Sequence, residues 1–509
     1  MSAPVVLGID ASTTAVKAIA FDRAGAIVAE GRAPIALSSP EPGAWEQDAN
    51  EWWSALCTAV RAVVALLGAR RIEGISIANQ RETFVFTDEH GAPLAPALTW
   101  MDARCTNEVA RAVSAIGDER LHRLSGKPPS PTPSLYKAMY VLGRRPDVAA
   151  QRPFLLDVHA FLVRRLTGQF RTSTASADPT GLVDLSTCSW SPELCELLGI
   201  SSDRLPELVS PGQPIGVIDE TGARETGLVA GTALFAGAGD GQAASLGAGV
   251  TAPGTAYLNV GTAIVSGVPS DAMQIDRAFR TLFAAGRGYL LETDLLSGTF
   301  SFNWLADRFF PGEDRSAVLA RLATESRSLP PGAGGLMFLP YLGGVMTPYW
   351  DDAARGALVG LRGEHGPAHV YGAIAEGLAL EQRVATSAVE AVVGTLPEMV
   401  VLGGPMADDA FCQLFADAMN KRLVRASTVE ATSLGAAMLA AAGAGMHTSI
   451  DAAAIAMSSR GTSFSPGAAA DAYSRRFEAY RAMYPALAGV MRLLTLSPAA
   501  RPIRRRRAR

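Results

Sequence analysis

The sequence predicts an α/β protein of two domains, and three observations lead to this prediction. The chain has 509 residues, more than the roughly 250–300 residues at which a single hydrophobic core stops growing. Apolar residues make up 48% and charged residues 18% of the chain, as in a globular enzyme. A pattern of short strands and helices begins at the N-terminus and starts again near Gly231. Each half is therefore expected to form one domain.

The first half opens with strands. The apolar run VVLGID and the alternating segments TAVKAIAFD and AIVAEGRAPI are separated by turns, which predicts a three-stranded antiparallel meander. NEWWSALCTAVRAVVALL has helical spacing, with Asp48 or Asn50 as its N-cap. IEGISIAN then predicts a short buried strand. The order β-β-β-α-β is typical of the start of an actin-like (ribonuclease-H-type) domain.

The second half repeats this topology. TALFAGAGD predicts a strand that ends in a small-residue turn, followed by a glycine-rich helix at SLGAGV, and TAYLNV-GTA-IVSGV predicts a second hairpin. A long helix at 366–393 and a strand at EMVVLGGP follow, then helices at 407–420 and 433–445. Two such domains are expected to enclose an interdomain cleft, where closure can exclude water from a ligand.

Charge, apolar runs and cysteines exclude several functional classes. Six of the 45 basic residues lie in 501–509, and without them the formal net charge of −4 would be −10, so a nucleic-acid binder is not expected. The basic end itself is expected to be disordered, with RNA or an acidic surface as alternative partners. The sequence shows neither a signal peptide nor an apolar run long enough for a membrane span. Five dispersed cysteines fit reduced thiols in the cytoplasm.

The first motif that could bind a ligand or take part in catalysis is the hairpin LGIDASTTAVKAIAFD. A turn after a buried strand offers backbone N–H groups to a phosphate, and the hydroxyls of Ser12, Thr13 and Thr14 add donors. Asp10 at the strand end could hold a magnesium ion, and Lys17 could reach the transferred phosphoryl group as a point charge. The alternative is an ordinary polar hairpin.

The second motif, GAGDGQAASLGAG, carries Asp240 between glycines where a strand should end. Glycines let a substrate approach the backbone closely. A carboxylate at this point suits a general base that accepts a hydroxyl proton, while phosphoryl transfer itself needs mainly positioning and charge stabilisation. The alternative is an aspartate that only stabilises a turn.

Two further glycine-containing turns belong to the second half. Gly403 and Gly404 follow a strand in VLGGPMADDAF and would permit a flat ligand such as adenine to lie on the backbone. The alternative there is a tight turn with Asp408 or Asp409 as helix cap. The turn of the second hairpin, with Asn259, Gly261 and Thr262, could hold phosphate from the opposite side of the cleft.

With these segments in this order, the chain resembles the FGGY carbohydrate kinases, the family of xylulokinases and glycerol kinases. The resemblance covers residues 4 to about 445. It also includes GAWEQDANEWW, SIANQRET, LTWMDAR, LLDVHAFLVRRLTG, PYLGGVMTPYWDDAARGALVGL and EATSLGAAMLA. It implies an ATP-dependent kinase with magnesium, made of an N-terminal sugar-binding domain (1–250), a C-terminal ATP-binding domain (251–485) and a C-terminal extension (486–509). It also implies a homo-oligomer, with a dimer as the expectation.

The resemblance implies roles for individual residues. Asp240 looks like the catalytic base and Asp10 like the magnesium-associated carboxylate. The nucleotide side is expected to be contacted by residues of both hairpins and of the glycine turn, namely Ser12, Thr13, Thr14, Lys17, Gly261, Thr262, Gly403, Gly404 and Asp409, the last at a position where a glycerol kinase has asparagine. The sugar is expected to meet Gln80, Arg81, Glu82, Trp100, Asp240 and Gly241, with packing in the core as the alternative for Trp100.

The substrate signals conflict. NQRET is similar to glycerol kinase, in which arginine and glutamate bind glycerol hydroxyls. Gly241 and Thr132, however, stand where glycerol kinase carries a glutamine and a tyrosine. Both changes remove bulk, which favours a ketopentose, with xylulose as the first expectation and glycerol or another polyol as the alternative.

Two other functions are compatible with the architecture. A nucleotide-dependent switch or chaperone of the actin or heat-shock type would have no use for NQRET or GAGDGQAA, and no peptide-binding domain is predicted after the last helix. A catalytically silent sugar sensor would not need Asp10 and Asp240, both of which are present. The kinase is therefore the preferred interpretation.

Overall fold

The computed structural model describes residues 3–68 and 70–496. The predicted disordered end, with its basic residues from 501 to 509, lies outside the described residues. The secondary structure of the first half comprises the strands β1 Val5–Ala11, β2 Ala15–Phe21, β3 Ile27–Pro34, β4 Glu46–Gln47, β5 Ile72–Asn79, β6 Phe84–Thr87, β7 Ala97–Leu98, β8 Phe154–Asp157, β9 Arg171–Ser173, β10 Val183–Asp184, β11 Ser189–Trp190, β12 Glu207–Val209, β13 Pro214–Val217 and β14 Ala233–Gly239. Its helices are α1 Ala49–Leu67, α2 Thr106–Ile116, α3 Asp118–Ser125, α4 Ser134–Arg144, α5 Pro146–Ala149, α6 Val158–Thr167, α7 Thr174–Ala177, α8 Pro192–Leu198, α9 Glu220–Thr226 and α10 Asp240–Gly247.

The second half has its own set of elements. Its strands are β15 Thr255–Val260, β16 Ile264–Ser270, β17 Arg280–Phe283, β18 Tyr289–Leu295, β19 Met337–Leu339, β20 Ala357–Val359, β21 Glu398–Leu402, β22 Arg422–Ala426 and β23 Arg460–Phe464. Its helices are α11 Phe300–Phe309, α12 Arg315–Ser326, α13 Pro367–Val393, α14 Asp409–Met419, α15 Ala431–Gly443, α16 Ile450–Met457 and α17 Ala470–Leu496.

The two main sheets share one topology, as the sequence predicts. The strand TALFAGAGD, which the sequence pattern placed at the start of the second half, is however β14 and pairs with β5 of the first sheet. The first has the strand order β13-β14-β5-β1-β2-β3, in which β1 is antiparallel to β2 and parallel to β5. The second has the order β17-β18-β16-β15-β21-β22-β23, in which β15 is antiparallel to β16 and parallel to β21. Each half thus opens with a hairpin and adds parallel strands on the other side of its first strand.

The element boundaries refine three of the sequence predictions. Asp48 is the N-cap of α1, since its side chain accepts the Asn50 N–H. Asp240 does not occupy a turn: β14 passes directly into α10, and Asp240 is the first helical residue. Helix α17 continues without interruption across the domain limit expected at residue 485.

Among the described residues, no helix combines the length and the apolar content needed to cross a membrane.

Helix α15 joins the two domains, although the sequence assigns it to the second. It packs against β1, β5 and α10 and shares a core with them. The approach is close enough to exclude side chains: an added Cβ at Gly435 would lie 1.9 Å from the Ala243 carbonyl oxygen, and one at Gly247 would lie 1.8 Å from the Ala431 oxygen. Glycine is required here because only backbone fits between the helices.

This packing makes a test of the interdomain contact possible. We expect Gly435→Ala to lower the free energy of unfolding by about 1–3 kcal/mol, because its Cβ would overlap backbone that cannot move aside. Gly143→Ala is the matched control, since Gly143 is also helical and an added Cβ there meets nothing within 4 Å. Thermal unfolding midpoints check the prediction. Equal midpoints for the two variants would contradict it.

Candidate functional site

A cavity lies in the cleft between the two domains. It brings together seven of the predicted site residues, namely Thr13, Arg81, Glu82, Trp100, Asp240, Gly261 and Thr262. Thr132 and Asn259 also line it, as do the unpredicted residues Arg280, Asp294 and Met346. The cavity is therefore the candidate active site.

Asp240 and Arg81 form the centre of the cavity. Arg81 Nε lies 2.8 Å from Asp240 Oδ1, and the Gly241 N–H donates to the same oxygen at 2.8 Å. The Asp240 side chain is 38% exposed, whereas that of Arg81 is only 6% exposed. Burial raises the pKa of Asp240, and the Arg81 guanidinium opposes this rise. A carboxylate oriented by a guanidinium and exposed to the cleft is suited to accept a proton from a substrate hydroxyl.

The loop before β6 carries Glu82 in a strained conformation. Its φ of 55° lies in the left-handed region, which non-glycine residues rarely adopt. The Ser134 hydroxyl donates to the Glu82 carbonyl at 2.9 Å, and the Glu82 carboxylate lies 2.7 Å from Arg280 Nη1. Contacts on both sides therefore hold this conformation, and such strain is characteristic of functional sites.

The polar side chains of the β1–β2 hairpin differ in role, since one stabilises the turn and another lines the cavity. The Ser12 hydroxyl donates to the Ala15 carbonyl at 2.8 Å and so closes the turn. Thr13 lines the cavity, and its Oγ1 accepts the Trp100 indole N–H at 2.9 Å. Thr14 is exposed outside the cavity lining. Thr13 is thus the hairpin side chain that faces the candidate site.

Asp10 and Lys17 lie beside one another on the first hairpin. Lys17 Nζ is paired with Glu430 at 2.8 Å, so this cation is not free as the sequence suggested. Asp10 Oδ1 is buried without a hydrogen-bond partner. Burial raises the pKa of Asp10 to about 7, with contributions from Asp240 and Glu430 and opposition from Lys17.

The residues around Asp10 fit a magnesium ion. Mg²⁺ usually keeps several waters and binds one or two protein carboxylates together with substrate phosphates. Asp10 supplies an unpartnered buried oxygen in a region of negative charge. Within residues 3–68 and 70–496, no group of three or more acidic, histidine or cysteine side chains is arranged to hold a metal alone, which is compatible with such a partly hydrated ion.

The turn of the second hairpin faces the first across the cavity. The Gly298 N–H donates to the Thr262 carbonyl and the Thr299 N–H to the Gly261 carbonyl, both at 2.8 Å. A Cβ at Gly261 would meet only the Ala263 oxygen, at 3.6 Å. The turn is therefore fixed from behind and open towards the cleft.

The Gly403–Gly404 turn follows β21 as predicted. Gly403 has φ 103°, and a Cβ there would lie 2.2 Å from the Val260 oxygen, whereas a Cβ at Gly404 would meet nothing within 4 Å. Asp408 caps α14, and Asp409 is mostly exposed and paired with Arg425 at 2.6 Å. A second cavity beside the Asp408 cap is lined by aromatic and charged side chains that include Arg327, Tyr371 and Phe411.

Family models match the larger part of both domains. Residues 5–247 match the N-terminal domain, and residues 256–444 the C-terminal domain, of the FGGY family of carbohydrate kinases. The chain belongs to this family. The two-domain, actin-like fold and the carbohydrate kinase class that the sequence resemblance predicted are thereby confirmed.

Individual relatives differ in the substrate that their names state. The chain is 29% identical to a xylulose kinase of Bacillus subtilis, over 86% of the chain and 88% of the relative. It is 32% identical to a glycerol kinase of Gloeobacter violaceus, again over 86% and 88%. A gluconate kinase structure from Lactobacillus acidophilus superposes with a TM-score of 0.90 at 25% identity, over 97% of this chain and 100% of that one. Similarity alone therefore leaves the sugar open.

Gln80 lies behind the cavity of this FGGY kinase rather than on its wall. Its Nε2 donates to Gln47 Oε1 at 2.9 Å, and its Oε1 accepts the Thr83 hydroxyl at 3.1 Å. Thr83 Oγ1 in turn accepts the Trp100 backbone N–H at 3.1 Å. Gln80 thus supports the segments that carry Arg81 and Trp100.

Gly241 does not enlarge the cavity, contrary to the interpretation of the sequence. An added Cβ would lie 2.6 Å from Glu292 Oε2 and 2.9 Å from Arg81 Cζ. The space beside Gly241 is filled by this buried ion pair, whose N–O distance is 2.6 Å. Thr132, by contrast, does line the cavity, so the expected loss of bulk applies only there.

The motifs of the sequence did not predict the charged residues of β17 and β18. Arg280 and Asp294 line the cavity, and Glu292 is completely buried behind it. A signal was present, since Glu292 and Asp294 lie two positions apart in the largely apolar strand YLLETDL. Such charges are rarely buried unless paired.

The surroundings of Asp10 allow a test that needs no turnover. Because the pKa of Asp10 in the folded protein is about 7, above its ordinary 3.8, folding binds a proton between these values and stability falls as the pH rises. The side chain of Asn does not titrate, so the stability of Asp10→Asn does not fall with pH for this reason. We therefore expect the difference between the unfolding midpoints of the variant and the wild type to increase in favour of the variant from pH 5 to pH 8. Mg²⁺ at pH 8 should raise the wild-type midpoint more than that of the variant.

The matched control for this prediction is Asp451→Asn, which changes an exposed carboxylate on α16. Its midpoint difference from wild type should depend little on pH or Mg²⁺. A difference for Asp10→Asn that is equally flat would show that Asp10 neither takes up a proton on folding nor meets the cation.

Proposed function

We propose that this FGGY kinase transfers the γ-phosphoryl group of ATP to a hydroxyl group of a ketopentose, with D-xylulose as the first candidate. The observation that carries the proposal is the pairing of Asp240 with Arg81 at one interdomain cavity, with Asp10 near enough for the charge of Asp240 to raise its pKa. A base, a sugar-orienting cation and a metal-binding carboxylate are the groups that such a transfer requires.

The charge of the cavity favours an uncharged polyol over an aldonate such as gluconate. Both guanidinium groups at the cavity are already paired, Arg81 with Asp240 and Glu292, and Arg280 with Glu82, Glu292 and Asp294. Two cations face four carboxylates, so a further carboxylate on the substrate would meet excess negative charge. Hydroxyl groups, in contrast, can both donate to the carboxylates and accept from the arginines.

The side chain at position 132 favours a ketopentose over glycerol, because threonine is smaller than tyrosine. Thr132 lines the wall where the resemblance places a tyrosine of glycerol kinase, and the relatives include xylulose kinases. Glycerol is the second candidate, because Arg81 and Glu82 both line the cavity in an NQRET motif similar to that of glycerol kinase, and a glycerol kinase is among the relatives.

In the proposed mechanism, Arg81, Glu82 and Trp100 orient the sugar. Asp240 accepts the proton of the attacking hydroxyl as its oxygen bonds to the γ-phosphorus. The bond from that phosphorus to the β–γ bridging oxygen breaks, and ADP leaves. Mg·ATP, when bound, supplies the phosphoryl group and neutralises part of its charge.

The nucleotide would be held mainly by turns. The hairpin turns at Thr13 and at Gly261–Thr262 present polar groups to the phosphates from opposite sides of the cleft. Adenosine would lie on the open face of Gly404, near the cavity that Tyr371 and Phe411 line. Asp10 would contact the magnesium ion. Homodimer formation and a cytoplasmic location remain predictions from the sequence and the family resemblance.

The substrate can be identified by measuring ADP release with Mg·ATP and a panel of sugars. The panel comprises D-xylulose, D-ribulose, L-ribulose, L-xylulose, erythritol, glycerol and gluconate, with a sugar-free control for basal ATP hydrolysis. We expect the largest kcat/KM with D-xylulose, and little turnover with glycerol or gluconate. A preference for glycerol would contradict the ketopentose assignment. Silence across the panel would also contradict it, and would favour either a substrate outside these sugars or a catalytically silent sugar sensor.

The role of Asp240 is tested by Asp240→Asn. The amide cannot accept the hydroxyl proton, so we expect kcat with the preferred sugar to fall by about 10²- to 10⁴-fold. Binding of ATP, followed by calorimetry, should change little, since Asp240 belongs to the sugar side of the cleft. Turnover close to that of wild type would exclude Asp240 as the base.

A further inference from the structure

Four strands of the second sheet carry a row of side chains that ends at the sugar cavity. Tyr257, Gly267, Glu292 and Arg280 are successive register partners on β15, β16, β18 and β17. A Cβ at Gly267 would lie 2.5 Å from the Tyr257 ring, so glycine lets that ring cross the row. The Tyr257 hydroxyl thereby donates to Glu292 Oε2 at 3.0 Å.

The row meets the first domain across the cleft. Glu292 Oε1 accepts from Arg81 Nη1 at 2.6 Å and from Arg280 Nε at 2.8 Å. Arg280 Nη1 donates to Glu82 Oε1 at 2.7 Å. Each of the neighbouring residues Arg81 and Glu82 thus has an oppositely charged partner that belongs to the other domain.

Because these ion pairs are buried, they fix the positions of the side chains that form them. Arg81, Glu82, Arg280 and Glu292 are all between 0% and 6% exposed. In such surroundings a charge without a partner is very unfavourable, whereas charge-assisted and bidentate bonds fix geometry. The arrangement also requires the absence of a side chain at Gly241, whose Cβ position is 2.6 Å from Glu292 Oε2.

We propose that Glu292 and Arg280 are positioning residues, which hold Arg81 and Glu82 in their sugar-binding geometry from the opposite domain. The inference rests on the proposed function in one respect, namely that Arg81 and Glu82 bind the sugar. It adds that the sugar-binding pair is complete only while the two domains are in contact.

The pH dependence of turnover distinguishes this role from a purely structural one. Asp240 is faced by Arg81, Glu82 and Glu292 and lies near Asp10. Burial has the largest effect on the pKa of Asp240 and raises it, whereas the charge of Arg81 lowers it. The charges of Glu82 and Glu292 raise this pKa further. Removing the charge of Glu292 therefore lowers the pKa of Asp240, and the acidic limb of the kcat/KM profile moves to lower pH.

The first test is Glu292→Gln, assayed with the sugar that gives the highest turnover in the panel. We expect the KM for the sugar to rise by about 10- to 100-fold, as for the loss of a hydrogen bond between charged groups. The KM for ATP should stay within about twofold, and the acidic limb should move to lower pH. Arg287→Ala removes an exposed arginine of the turn between β17 and β18 and should leave all three unchanged.

A second variant keeps the proposal testable if Glu292→Gln does not fold. Arg280→Lys preserves the charge but not the fork that reaches Glu82 and Glu292 together, so the KM for the sugar should again rise selectively. An active wild type with no selective change in either variant would overturn the positioning role alone. Parallel losses of sugar affinity, ATP affinity and thermal stability would also overturn it. A wild type without sugar-dependent turnover would overturn the proposed function itself.

Discussion

The architecture of the cleft depends on backbone packing between β1, α10 and α15. An added Cβ at Gly8 or at Gly435 would lie only 1.9 Å from a backbone oxygen of its neighbour. Each of these elements carries a carboxylate at the end that faces the cleft: Asp10 on β1, Asp240 at the start of α10, and Glu430 just before α15. Because backbone meets backbone at these glycines, the three carboxylates are brought into one region, where the charges of Asp240 and Glu430 raise the pKa of Asp10.

This convergence of negative charge has an electrostatic cost that cations offset unequally. Lys17 pairs with Glu430, and Arg81 pairs with Asp240. Asp10 receives only the weaker influence of Lys17, and one of its oxygens is buried without a hydrogen-bond partner. The protein alone therefore leaves this carboxylate only partly compensated, and a bound divalent cation would supply the largest positive charge at the site.

The sequence was sufficient for the parts of the fold that local patterns determine. Both hairpins, the Asp48 cap and the order of strands and helices follow from periodicity and turn residues over short distances. The start of α10 at Asp240 was not predicted, because glycines on both sides indicated a turn. Arg280 and Glu292 were missed for another reason: the local pattern marks Glu292 only as a charge in a buried strand, while the partners of both residues lie about 200 positions away in the chain.

The same long-range contacts explain why one motif does not determine the sugar. Arg81 and Glu82 alone suggest glycerol, but their positions are set by Glu292 and Arg280 on the other domain. Arg280 itself also lines the cavity, so the second domain contributes to its wall. A position such as 241 then acts indirectly, since its missing side chain makes room for an ion pair rather than for substrate. Specificity in this fold is accordingly a property of the closed interface between the domains.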